Sequence, residues 1–186
     1  MPDFGPDGLL GLSEPQKRDL QAGKVLLLSS LKTGQSSQTI IQAAVLFQVR
    51  PEKVWEIIST PELQAEYLDD IDSINLLEKR PEYSRLEFVV KILGKKIRYT
   101  VVHYFRPEEL CLWWELDHRV KNDLKELFGF WRFYPAAGGN TVARYGSLVV
   151  PSFPVPGFIK DWLFKNKVED SLIKVKNYVE KGGRAG

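Results

Sequence analysis

Cysteine, histidine, excess charge and long apolar runs are all scarce in this chain of 186 residues. The single cysteine, Cys111, excludes an internal disulfide framework and any cysteine metal cluster, and it fits a reducing compartment. No apolar run approaches the roughly 20 residues that a membrane-spanning helix needs. The stretch Val25-Leu26-Leu27-Leu28 is strand-sized. The leading MPDFGPDGLLGL lacks a basic region and carries only a short apolar patch, so it does not read as a secretory signal. A net charge of +2 sets up no field that favours nucleic acid. No Ser/His/Asp order, Walker loop or dinucleotide fingerprint occurs, and no internal repeat is visible. A soluble, cytoplasmic protein is the expectation.

What is present is ordinary in bulk: 44% hydrophobic and 27% charged residues, the balance of one globular domain. The aromatic share, 12%, suggests a bulky core or a lined pocket. The stretch 43–67, AAVLFQVRPEKVWEIISTPELQAEY, carries the most information. Pro51 suits the first turn of a helix, and Val54, Trp55 and Ile58 then recur at helical spacing. Thr60-Pro61 breaks that helix and opens a second short one.

Upstream, residues 1–11 carry Gly5, Gly8, Gly11, Pro2 and Pro6 and read as a flexible N-terminus. Ser13 looks like the N-cap of a short helix with Gly23 at its end. Strands are expected at Lys24–Leu31 and Gln38–Arg50, and, least regular, at Asp69–Glu78. Cleaner alternation predicts strands at Ser84–Leu93, Lys96–Arg106, Leu110–Asp117, Leu124–Tyr134 and Thr141–Val150. Short turns join them into an antiparallel meander. A long helix is expected near 157–181, where Phe164, Val168, Leu172, Val175 and Val179 form one apolar stripe. This order suits one curved antiparallel sheet wrapped around one terminal helix, with room for a hydrophobic ligand between them. A single domain over 12–181 is expected, with 12–37 as an extension of a core at 38–181.

The helix opening Pro51-Glu52-Lys53-Val54-Trp55 resembles the recurrent start of START-like domains, in the polyketide cyclase and coenzyme Q-binding superfamily (SRPBCC). The segment Gly129-Phe130-Trp131-Arg132-Phe133-Tyr134-Pro135, followed by Gly138-Gly139-Asn140-Thr141, is similar to that family's penultimate hairpin. The resemblance covers roughly 38–181. It implies an α+β helix-grip fold: about seven curved antiparallel strands around a long C-terminal helix, here with an extra N-terminal helix and strand. Members bind lipids, quinones, polyketides or other hydrophobic molecules, and some cyclise a polyketide. The family has no single catalytic signature, so no catalytic residue, metal or cofactor is carried over.

The pattern nominates ligand-facing side chains: Phe88, Val90, Tyr99, Val101, His103, Trp114, Trp131, Phe133 and Tyr145 on inward strand faces, with Phe164, Val168 and Leu172 on the helix. An inward His103 reads first as a hydrogen-bonded core residue; the alternative is a polar anchor for a ligand carbonyl or hydroxyl, with Tyr99 on the same face. His118 is expected at the surface. Asp69, Asp70 and Asp72 lack the spacing of a calcium loop. Three functions stay open: binding or carriage of a hydrophobic small molecule, a cyclase or dehydratase using His103 with Tyr99 or Tyr145, and an interaction module with a filled interior. Phe153, Phe158, Trp162 and Phe164 among lysines make peripheral membrane contact through 153–176 a further reading, beside a solvated helix face. Val102, Tyr104, Trp113, Phe128 and Phe130 alternate to the opposite sheet face, where the N-terminal segment or a homodimer partner would cover them.

Overall fold

The structure, a computed structural model, describes residues 2–32, 39–92, 94–154 and 167–184. Helix α1 (Glu14–Gln21) starts at Ser13, whose side chain accepts from Gln16 N while the Gln16 side chain accepts from Ser13 N at 2.8 Å. Strands β1 (Leu26–Lys32) and β2 (Thr39–Phe47) follow, then α2 (Pro51–Ile58) and the single-turn α3 (Gln64–Tyr67). The meander is β3 (Ile71–Lys79), β4 (Tyr83–Ile92), β5 (Lys95–Arg106), β6 (Cys111–Leu116), β7 (Leu124–Ala136) and β8 (Asn140–Pro151). Helix α4 (Val168–Glu180) is the described part of the terminal helix; 157–166, with Phe158, Trp162 and Phe164, lies outside the described residues.

All eight strands form one antiparallel sheet in the order β1-β2-β8-β7-β6-β5-β4-β3. Pairing β2 with β8 places the start of the core beside its last strand, and the terminal helix then crosses the inner face. This is the helix-grip arrangement, with β1 and α1 added at one edge. Edge strand β3 explains its own irregular pattern. Register shifts between Ile71 and Ser73 and between Leu76 and Glu78 move side chains from one face to the other, which breaks strict alternation. Strand β2 ends at Phe47, short of the expected Arg50, where Gln48 N turns away to donate to the Glu180 carboxylate at 2.7 Å.

Where α2 meets β2 and the adjoining parts of β7 and β8, the interior is packed. Val54, Ile57 and Ile58 of α2 meet Val45, Phe47 and Phe133 of the sheet and Leu172, Val175 and Val179 of α4. Trp55 is only partly buried and meets Phe133 edge-on at 6.3 Å. Val90 packs in a separate cluster with Leu86, Ile97 and Val101.

The part of the outer face formed by β2, β7 and β8 is covered from within the chain. Residues 2–12, which overlap the stretch 1–11 expected to be flexible, lie across β7 and β8. Phe4 is 3% exposed and stacks on Phe130 at 5.9 Å, and Leu12 and Leu20 join the same cluster beside Trp113 and Phe128. The Arg144 guanidinium lies 4.1 Å from the Phe4 ring and donates to the carbonyls of Gly8 and Leu10 at 3.0 and 3.2 Å. Gly5, Gly8 and Gly11 take left-handed turns that let this short segment fold back onto the sheet.

Candidate functional site

Where the sheet curves away from α4, packing fails to fill the space. A cavity of about 210 Å³ opens between β4–β8 and α4, with α3 at its rim. Of the nominated residues, Phe88, Tyr99, Val101, His103, Trp114, Trp131, Tyr145, Val168 and Leu172 line it. Val90 and Phe133 do not: both point inward, but they sit in the packed clusters on either side. Phe164 lies outside the described residues.

Several wall residues escaped the sequence reading. Leu112, Leu127, Ser147, Val149 and Val175 were legible in principle, because each shares the parity or helical stripe of a nominated neighbour. Gln64, Tyr67 and Leu68 carried no such signal. They belong to one short turn of helix, too brief to show a period.

The cavity wall is largely aromatic. Phe88 and Tyr99 stack with centroids 5.5 Å apart. A run of rings continues across the sheet from Phe88 to His103 (6.2 Å), Trp114 (5.6 Å), Tyr145 (6.1 Å) and Trp131 (4.8 Å). His103 is 4% exposed, and its Nδ1 is buried with no hydrogen-bond partner among the described residues. Burial alone pushes its pKa down to about 3, so the imidazole is neutral at physiological pH. Burial also holds the Tyr99 and Tyr145 phenols above their ordinary range; at Tyr145 a hydrogen bond to Ser147 works in the opposite direction. Among the described residues no Lys, Arg, Asp or Glu lines the cavity, and its histidine and tyrosine side chains are neutral under ordinary conditions.

Its rim is clasped. Tyr67 packs on Tyr178 at 4.6 Å, and the Tyr178 hydroxyl donates to Glu66 at 2.6 Å. The turn after α3 is tied to α4 by Lys167–Asp70 and Lys174–Asp69, both 2.7 Å. Asp72 pairs with Lys91 and Lys96, each at 2.7 Å. The aspartates singled out in the sequence are thus partners of lysines. Among the described residues no group of three metal-ligating side chains occurs, and no helix is long and apolar enough to cross a membrane.

Residues 38–180 match the family described as polyketide cyclase / dehydrase and lipid transport. The chain belongs to that family. A START superfamily protein from Mycobacterium smegmatis superposes with a TM-score of 0.65 at 20% identity, covering 76% of this chain and 97% of the other. The Zhui aromatase/cyclase from Streptomyces sp. R1128 gives 0.66 at 16% identity, covering 78% and 96%. A STAR-related lipid transfer protein from Xanthomonas axonopodis gives 0.68 at 9% identity, covering 83% and 98%. These likenesses establish the fold. No curated protein sequence matches the chain.

Proposed function

We propose that this protein binds a hydrophobic small molecule in the cavity between sheet and terminal helix, and carries or sequesters it. The observation that carries this reading is an unfilled volume of about 210 Å³ with a largely apolar, aromatic wall, inside a domain whose other interfaces are packed. Burying a ligand there contributes about 25 cal/mol for each Å² of apolar surface removed from water. The likeness to lipid transfer and START proteins is in keeping with that role. A single cysteine suits a cytoplasmic setting.

The rival reading, a cyclase or dehydratase, draws on the family description and on the likeness to an aromatase/cyclase. Acid–base chemistry needs a donor and an acceptor converging within hydrogen-bond reach. Among the described residues nothing hydrogen-bonds His103 Nδ1, so neither Tyr99 nor Tyr145 pairs with it there, and this favours binding over turnover. The decisive experiment is mass spectrometry of small molecules extracted from natively purified protein, beside a Val101→Trp variant that fills the cavity. Binding predicts a co-purifying apolar compound that the variant loses. A compound retained equally by both proteins would place it elsewhere and refute the assignment.

A further inference from the structure

The cavity wall has a chemical grain that its overall apolar character hides. Strand register places Ser84 opposite His103, His103 opposite Trp114, Trp114 opposite Gly129, and Gly129 opposite Ser147. All these positions face inward, so they form one row across strands β4 to β8. The adjacent row on one side is Leu86, Val101, Leu116 and, on β7 and β8, Leu127 and Val149, all apolar. Of this row His103, Trp114 and Ser147 line the cavity, beside the Tyr99 and Tyr145 phenols and the side chains of Gln64 and Ser171, whereas Ser84 stands at the row's end outside the lining.

Two members of the row are buried with their polar atoms unsatisfied. Ser84 is 1% and His103 4% exposed, and neither Ser84 Oγ nor His103 Nδ1 has a partner among the described residues. An unpaired buried polar atom is costly, and such groups normally meet protein or water. Gly129 completes the arrangement. A Cβ there would stand 2.0 Å from Trp114 Cζ2 and 2.7 Å from its Nε1. The missing side chain leaves room for the indole against Gly129, the residue opposite Ser147, with its Nε1 edge on that side.

We infer that the row His103–Trp114–Ser147 is the recognition element of the cavity, selecting small, flat, neutral ligands that carry a hydroxyl or carbonyl and rejecting carboxylates. The inference rests on the binding role proposed above and names its ligand class. A ligand hydroxyl can donate to an imidazole nitrogen while accepting from the indole N–H or a serine hydroxyl; a carbonyl can accept from the latter two. An anion finds no cation among the described wall residues, because His103 stays neutral and none of them is Lys or Arg. Flatness follows from the rings of Phe88, Tyr99, Trp114, Trp131 and Tyr145, which offer faces and edges to a planar guest. Size follows from volume. An apolar cavity of about 150 Å³ holds benzene, whereas drug-sized ligands take about 300 Å³ or more. The 210 Å³ here suits one or two fused rings.

Isothermal titration of the full chain at pH 7 with naphthalene, naphthol and naphthoate tests this directly. Naphthol should bind about tenfold more tightly than naphthalene, equivalent to about 1.4 kcal/mol, and more tightly than naphthoate by at least as much. His103→Phe, which keeps a ring of similar size, and Ser147→Ala should each reduce the naphthol advantage to within about threefold while leaving naphthalene binding in place. Equal affinity for all three probes, or an advantage that survives these substitutions, overturns the row. Failure of every probe including naphthalene overturns the cavity reading itself.

Discussion

A methyl group at position 129 has no space to occupy. A Cβ there would lie 2.0 and 2.3 Å from Cζ2 and Cε2 of Trp114, where carbon atoms rest about 3.5–4.0 Å apart. The backbone of β7 is held by β6 on one side and β8 on the other, so the indole must yield, by about 1.5 Å or more. Such overpacking costs about 1–3 kcal/mol. In a domain of this size each kcal/mol lowers the melting temperature by about 2–4 °C. Gly146→Ala supplies the control: its Cβ would stand 2.2 Å from Phe130 Cε1, on the opposite face of the sheet. Both variants should lose stability over the same range in thermal unfolding followed by circular dichroism. Gly129→Ala alone should weaken naphthol binding, because only that substitution displaces a cavity wall. A Gly129→Ala protein that melts with the parent, or a Gly146→Ala protein that loses naphthol equally, would refute the reasoning.

A chain beginning at Gln38 loses β1 and the segment that covers Ala44, Leu46 and Phe130, so it should melt lower or self-associate; unchanged melting and monodispersity would count against that cover. The pKa shifts predict acid sensitivity in two windows. The unfolded chain takes up a proton on histidine near pH 6.5 that folded His103 refuses until about pH 3, so stability falls as pH drops through that interval. Asp117, held below its ordinary 3.8 first by Arg119 and also by Arg85 against a desolvation cost, contributes stability above that pH and loses it as pH falls further. His103→Phe should flatten the upper window of a denaturation-versus-pH curve and Asp117→Asn the lower one; an unchanged curve in either variant would show that the named group is not responsible. At the rim, Lys174→Met removes the ties to Asp69 and Asp170. Stopped-flow naphthol binding should then show faster entry and exit with little change in melting temperature, and unaltered rates would mean that the clasp does not limit access. Trp55→Ala should cost about 3 kcal/mol, the low end for a large aromatic because Trp55 is only partly buried, and should leave naphthol affinity in place. A variant that melts like the parent but loses naphthol would make Trp55 a ligand contact.

Much of the fold was written in local pattern. Strict alternation in 84–106 determined which side chains of β4 and β5 face the helix, because a pleated strand has a period of two and a one-residue slip would send Arg85, Glu87 and Arg98 inward. Pro51 with Val54 and Ile58 located α2, and the four-and-three stepping of Val168, Leu172, Val175 and Val179 identified the buried stripe of α4. Tertiary structure decided what alternation cannot express. Parity named Val90 and Phe133 as inward, yet whether an inward side chain meets a ligand or a neighbour depends on how far the opposing helix stands off, which is set by sheet curvature. The same holds for the cover on the outer face. Phe4 and Leu12 sit among glycines and prolines with no period, and only the arrival of Arg144 beneath them, from more than a hundred residues away, turns that segment into part of the domain. The polar row is the clearest case. His103, Trp114 and Ser147 lie on three strands with no common spacing, and only the register of the sheet, with a glycine between two of them, lines them up.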